Sequence, residues 1–496
     1  MTTHSPAPDL ALRRLPAALL AVQICVFGVA GQALAQSATV NNTNPSNQST
    51  LLDPARTKLR TANKSDPNTV EDADPDTATT PGADPAENDE AALDAAALKE
   101  MRRQNEREPS VDGLPTRLRD ENQPTSGIPL GSFTFRPTIS ESLGMERTKT
   151  GKKATERTFL QTGFKGSLVS DWSLHQLKID TEGTWQKTLS GTKSDDPVGR
   201  VDAELRLDLM NDTVARLRAG YSLQREDISD PNAVSNASNQ ALVSTYTASA
   251  EVTHDLGLIR GTAGIDFARE TYGEAMLESG TVIDQSDRNN NEATLRGRIG
   301  YELSPALIPF LQASYGKAIY DNEKDATGYV RDATLYALKA GVAGDFGDKL
   351  RGELSTGYAL AEFDDSRLKA IDAWTIDGNV AWSPQRGTDV AAGLKTEIEP
   401  STAAGASGST AYTADAALTQ VIIEQLSGRL STSLIWRDYA QQNVPNQTVY
   451  NAGAGLTWGV ARSIDLTADV AWERTLQEKT PNQNVMTGMI GIALKR

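Results

Sequence analysis

Residues capable of acid–base, nucleophilic or metal chemistry are few and scattered. The chain has 496 residues with three histidines and one cysteine. His175 and His254 each sit beside a segment that reads as a short turn, far apart in sequence. Neither has the serine partner that acyl transfer requires. Asp321-Asn322-Glu323-Lys324-Asp325 and Asp364-Asp365 offer oxygen ligands for weak Ca²⁺ binding, but the closing glutamate of an EF-hand loop is missing. The lone Cys25 excludes a disulfide framework and a Cys-based zinc site. No glycine loop is placed to cradle phosphate, and a net charge of −16 argues against a nucleic-acid partner. These observations predict neither an enzyme nor a cofactor.

The charged residues fall into a different pattern. Asp180 and Glu182, Glu204, Arg206 and Asp208, Arg216 and Arg218, Arg296 and Arg298, and Arg351 and Glu353 occupy every second position of apolar segments. In Ala215-Arg216-Leu217-Arg218-Ala219-Gly220-Tyr221-Ser222-Leu223 every odd position is apolar and every even one polar or small. Such a period of two places apolar and charged side chains on opposite faces of a strand. The charged faces would line a wet lumen and filter solutes by width and charge. A turn at Asn211-Asp212 would set Asp208 opposite Arg216, with Arg206 beside Arg218.

The elements that must position these residues are strands. About eighteen begin at Phe133, with sixteen an alternative count. Short connections at Asp171, Asn211-Asp212, Asp255 to Gly257, Ser304-Pro305, Gly347-Asp348, Ser383 to Gly387, Ser427-Gly428 and Ala461-Arg462 alternate with longer polar segments. The longer ones include Glu146 to Arg157, Glu226 to Gln240 and Gly273 to Asn291. That rhythm predicts an all-β fold: a transmembrane, antiparallel up-and-down barrel with both chain ends on the short-turn rim.

Aromatic placement separates this barrel from a soluble β-sandwich array or a β-rich fibre. Trp374 and Trp382 are eight residues apart, as are Tyr450 and Trp458. Eight residues span ~26 Å along a strand, close to the apolar band of ~25 Å between the aromatic girdles of outer-membrane barrels. Trp172, Tyr301 and Phe346 mark further short-turn ends; Trp185, Tyr320, Phe363, Trp436 and Trp472 mark long-loop ends. The apolar faces then meet lipid.

The N-terminal part differs. Arg13 and Arg14, an apolar run from Leu15 to about Ala30 and Ala33-Leu34-Ala35 predict a signal peptide over 1–35, with Cys25 leaving in it. Residues 36–127 are rich in Asn, Ser, Thr, Pro, Asp and Ala and predict a disordered acidic periplasmic segment, with a short helix near 90–105. The barrel would occupy 128–496.

Several segments resemble the putative β-barrel porin 2 family of diderm bacteria. They are Ile128-Pro-Leu-Gly-Ser-Phe-Thr-Phe-Arg-Pro137, Pro309-Phe310-Leu311 with Ile319-Tyr320-Asp321-Asn322, Gly328-Tyr329-Val330-Arg331-Asp332, Lys349-Leu350-Arg351-Gly352-Glu353-Leu354, and Glu399-Pro400-Ser401-Thr402. The resemblance implies a porin-like outer-membrane channel for small hydrophilic solutes. Its implied partners are outer-membrane lipid, lipopolysaccharide and the barrel-assembly machinery. Some relatives are associated with exopolysaccharide export, so an export port docked to a polysaccharide export complex is an alternative, as is a closed structural barrel.

Overall fold

The computed structural model describes residues 127–191, 196–209, 212–235, 237–403, 405–441, 444–478 and 480–496. The expected signal peptide, the acidic segment up to residue 126 and the helix near 90–105 lie outside the described residues.

Eighteen long strands follow one another: β1 (Phe133–Thr150), β2 (Lys153–Ser170), β3 (Gln176–Gly191), β4 (Val198–Leu209), β5 (Thr213–Arg225), β6 (Leu242–Leu256), β7 (Ile259–Tyr272), β8 (Asn290–Tyr301), β9 (Leu307–Tyr320), β10 (Ala333–Asp345), β11 (Leu350–Phe363), β12 (Ile371–Gln385), β13 (Thr388–Pro400), β14 (Gly408–Ile423), β15 (Leu426–Tyr439), β16 (Gln447–Ala461), β17 (Ile464–Gln477) and β18 (Gln483–Lys495). Each pairs antiparallel with the next. β18 returns to β1 in a register running from Thr138↔Lys495 to Thr150↔Gln483, so the sheet closes into an 18-stranded barrel. Closure removes the unpaired edges that an open sheet would expose. A short entry strand, Ile128–Leu130, pairs with the start of β1.

The two rims differ as the sequence predicts, with one correction. The connections 226–241, 273–289 and 321–332 are the longest, while the other rim carries turns such as 257–258, 386–387 and 462–463. The polar run Glu146 to Arg157 is not a long loop: β1 and β2 continue through it and turn at 151–152, with Gly151 at φ 60°. Its strand character was hidden because both faces are polar. Arg157 Nε and Nη2 donate to Glu146 on one face, each at 3.0 Å, and Arg147 meets Glu156 at 3.5 Å on the other. A period-two signal needs one apolar face, and here there is none.

A second correction concerns register. Leu209 pairs with Thr213, so Arg206 lies opposite Arg216, Glu204 opposite Arg218 and Asp208 opposite Val214. Asp212 takes left-handed backbone at φ 53°, which a polar residue tolerates in a tight hairpin. The pairing differs by two positions from the expected one, which changes partners and leaves every side chain on its expected face.

The outward face is apolar: Leu295, Ile299, Leu338, Leu354, Ile376 and Ile490 are each 45–67 % exposed. Aromatics pair across neighbouring strands on this face. Tyr221 lies 4.9 Å from Tyr246, Tyr315 5.5 Å from Tyr336, Tyr358 6.2 Å from Trp374 and Tyr412 5.4 Å from Trp436, ring centre to ring centre. Tyr320 and Phe363, expected among the outward aromatics, instead share the inward face at the ends of β9 and β11. Tyr320 is buried there, and Phe363 follows the alternation of buried Ala361.

Candidate functional site

The inward face is polar throughout, but its two sides do different things. On β2–β5 the alternating charges form a loose, water-facing wall. Lys165 meets Glu182 at 2.7 Å, Arg218 meets Glu204 at 3.2 Å, Arg206 meets Asp208 at 2.9 Å, and Lys178 pairs with Asp180. Asp180 and Glu182 remain 42 % and 48 % exposed, so solvent screens their pairs.

Across the lumen, β6–β13 carry a close-packed ionic wall. Arg298 binds Glu353 through both Nη atoms at 3.0 Å and Gln312 Oε1 through Nε and Nη2 at 2.9 and 2.7 Å. The guanidinium lies 3.8 Å from the Phe310 ring centre. That ring fits because residue 341 is glycine: a Cβ there would stand 2.5 Å from the Phe310 ring edge. Arg296 reaches Glu251 at 3.2 Å and Asp266 at 3.5 Å, and Arg216 reaches Glu251 at 3.6 Å. Lys339 holds Asp377 at 2.7 Å, while the other Asp377 oxygen accepts from the Thr396 backbone N–H. Buried charges of this kind persist only when paired and hydrogen-bonded.

Beside this wall runs a cavity of about 2060 Å³, lined mostly by β1–β6, β17, β18 and the inner ends of the long loops, with fewer residues of β7–β13, among them Gln312, Lys339 and Glu397, closing its other side. Its lining includes the predicted Asp180, Glu182, Glu204, Arg218 and Arg296. The other inward residues expected to line it are elsewhere. Arg298, Arg351, Glu353 and Arg216 belong to the packed wall, and Arg206 and Asp208 lie towards the short-turn rim. Carboxylates outnumber Lys and Arg sixteen to ten in the lining, which biases the cavity towards negative potential. Asp469 and Glu473 of β17 contribute to it, and Asp469 Oδ1 is buried without a hydrogen-bond partner among the described residues.

The long loops narrow the mouth. The segment 226–241 leaves β5 and re-enters at β6, with Glu226 N–H bonded to the Ala241 carbonyl at its base. Gln240 braces it from within, donating to the Val234 carbonyl and accepting from the Val234 N–H. Its tip reaches the opposite wall. Asn232 donates to the Pro400 carbonyl at 3.1 Å and accepts from Ser401 Oγ and the Thr402 N–H. Arg437 of β15 donates to the Ser229 carbonyl at 3.3 Å, to Glu399 at 2.8 Å and to Gln447 at 2.8 Å. The segment is therefore a strap across the lumen. Neighbouring loops brace its far anchorage: Arg331, 2 % exposed, donates to the carbonyls of Ser401, Ala403 and Ala406 and to Asp325.

The strap and its anchors were not singled out in the sequence. The length of 226–240 was visible, but Asn232 and Arg437 look like ordinary loop and strand-end polar residues. Their partners lie 168 and 208 residues away, beyond any local pattern.

The residues whose types could have done chemistry have structural partners. Nδ1 of His175 accepts from the Asp208 N–H at 3.2 Å, and Nδ1 of His254 meets Thr213 Oγ1 at 2.8 Å. Asp321 is held by Arg269, Asp364 by Lys317 and Asp365 by Arg367. Among the described residues no group of three or more His, Cys, Asp or Glu is placed to hold a metal ion. The predicted girdle aromatics Trp172, Trp185, Tyr301, Trp374, Trp382, Tyr450 and Trp458 are exposed. Trp436 stacks on Tyr412, and Trp472 Nε1 donates to Asn484.

Similar solved structures include OccAB4 of Acinetobacter baumannii, at 11 % identity and TM-score 0.37 over 73 % of this chain and 98 % of that one. The outer membrane protein OpdK of Pseudomonas aeruginosa is similar at 11 % and 0.36 over 73 % and 99 %. OccK2 (OpdF) of Pseudomonas aeruginosa is similar at 9 % and 0.38 over 73 % and 98 %. No protein of curated function matches the chain. The model of the putative beta-barrel porin 2 family matches residues 123–496, most of the chain, and the chain belongs to that family of outer-membrane, porin-like barrels.

Proposed function

We propose that this barrel is a passive channel for small hydrophilic solutes, with the wider part of the conduit on the β1–β6 and β17–β18 side of the lumen. The cavity of about 2060 Å³ carries this reading. It exceeds the roughly 300–1,000 Å³ of sites built for one small ligand, and its wall is charged rather than apolar. Solutes would pass by diffusion, steered by the negative lining and filtered by the gap beside the strap.

In this reading Trp172, Tyr301, Trp382 and Trp458 form the aromatic girdle at the short-turn, periplasmic side. Trp185, Trp374, Trp436, Tyr450 and Trp472 form the one below the long loops, where amphipathic rings suit the lipid interface. Residues 36–127 then extend into the periplasm, and lipid, lipopolysaccharide and the assembly machinery are the partners of the outer face.

Single-channel recording of the refolded chain in a planar bilayer tests the proposal. The expected result is discrete, ohmic conductance steps with mild cation preference. A barrel that inserts and never conducts would count against it.

A further inference from the structure

Three carboxylates and two guanidiniums meet where the strap crosses the lumen. Asp230 sits in the strap tip, its Oδ1 accepting from the Asn232 N–H at 2.8 Å. Around it stand Glu226 of the strap, Arg288 and Tyr272 from the 273–289 loop and β7, Glu399 of β13, and Arg437 and Tyr439 of β15. The two guanidiniums are already committed. Arg288 holds Glu226 at 2.5 Å over the Tyr272 ring, and Arg437 holds Glu399 at 2.8 Å. Asp230 is the carboxylate left over, without an ion pair of its own among the described residues. It lies between Ser229 and Asn232, the two residues that pin the strap to the far wall.

We propose that the strap is a proton-operated latch: neutral Asp230 lets the tip fasten against β13 and β15, and its ionisation drives the tip off that wall. The cause is charge balance. With Asp230 protonated, two guanidiniums face two carboxylates in a half-buried space at the edge of the cavity. Ionisation adds a third negative charge there, next to Glu226 and Glu399, with both guanidiniums already paired. Releasing the tip returns that charge to water and widens the mouth.

The environment pushes the Asp230 carboxyl up to about 7, through enclosure first and Glu226 next, with Arg288 opposing and Glu399 adding. The fastened state thus binds the proton more tightly than the released one, where Asp230 has an ordinary carboxylate value. Fastening is fully favoured below that ordinary value, weakens as pH rises and reaches its floor above about 7. Between pH 5.5 and 7.5 the fastening equilibrium should drop roughly 25-fold.

The latch is read by amide hydrogen exchange in the full-length barrel, corrected for intrinsic chemical exchange. Protection of the Thr402 amide, whose acceptor is Asn232 Oδ1 on the strap, should fall by up to that factor from pH 5.5 to 7.5. In Asp230→Asn, which keeps the acceptor for the Asn232 N–H, protection should stay high at both pH values. Protection independent of pH in the native chain, or a pH dependence that survives in Asp230→Asn, would overturn the latch. Conductance recorded in parallel rests on the channel reading: it should be larger and noisier at pH 7.5 and flat in Asp230→Asn. A non-conducting barrel with pH-dependent exchange sinks the channel and leaves the latch standing. A conducting barrel with flat exchange does the reverse.

Discussion

Replacing Arg298 distinguishes a packed wall from a conduit. In the structure this guanidinium satisfies both oxygens of Glu353, whose side chain is 1 % exposed, together with Gln312 Oε1, and lies on Phe310. In Arg298→Ala the Glu353 carboxylate keeps its burial and loses its hydrogen-bonded cation. Breaking one partner of a buried ion pair costs about 3–5 kcal/mol. Removing both charges in Arg298→Met with Glu353→Leu eliminates that penalty and leaves similar volume, so the double variant should fall within about 1 kcal/mol of the native chain or exceed it. Urea unfolding in lipid vesicles, followed by tryptophan fluorescence, measures both, and the double-mutant cycle isolates the pair. Ion selectivity of the folded double variant should be unchanged, because the pair lies off the conduit. A loss under about 1 kcal/mol for Arg298→Ala, or altered selectivity in the double variant, would refute the division of the lumen into a structural and a conducting side.

Three further outcomes follow from particular residues. Glu141 lies on the outward face among Ile139, Leu143 and Ile492, held by the Thr162 hydroxyl at 2.8 Å. The hydrogen-bonded row Trp185–Thr162–Glu141–Ile492–Leu466–Trp458 sets it between the two aromatic levels, facing lipid. Glu141→Leu should therefore stabilise the barrel in vesicles by about 1 kcal/mol, the lipid-exposure cost less one hydrogen bond; a destabilised variant would show that this carboxylate has a structural use. Asp469→Asn with Glu473→Gln should move the reversal potential in a salt gradient towards anion permeation without changing unfolding, and an unmoved potential would remove β17 from the conduit. Finally, burial works to raise the Asp325 carboxyl, but hydrogen bonds from the Tyr329 N–H, Thr327 and Arg331 outweigh it and hold it below its usual value. The bond from Arg367 does the same for Asp365. Loop anchorage from both is thus fully present above about pH 4 and lost as pH falls through the lowered values. Limited proteolysis of the 321–332 loop should accelerate near pH 2 and not between pH 5 and 8. A cleavage rate unchanged near pH 2, or rising already between pH 5 and 8, would contradict that anchorage.

The architecture was legible wherever one face of a strand is apolar. Leu177, Ile179 and Trp185 against Lys178, Asp180 and Glu182 fix both the strand and its orientation, and long loops alternating with short turns fix the topology. Legibility failed for three physical reasons. The β1–β2 hairpin beyond Met145 is polar on both faces, so it carried no periodic signal. The β4–β5 register depended on a turn whose length the residues allow in more than one way. Glu141 broke the apolar alternation of β1 without neighbours to flag it. Within the site, inward-facing charges were identifiable by parity, but which of them are exposed to the conduit was not. That depends on partners such as Glu251, Gln312 and Asp377, brought together across strands far apart in sequence. The strap belongs to the same class, because its docking is decided by contacts between loops.

The central claim, an open and off-centre conduit, is tested most directly by swelling of proteoliposomes containing the full chain in isotonic solutions of neutral sugars of increasing size. Swelling should be rapid for the smallest sugars, fall steeply with size, and extend to larger ones when the strap anchor is removed in Asn232→Ala. Absence of swelling with any sugar in both proteins would contradict the account.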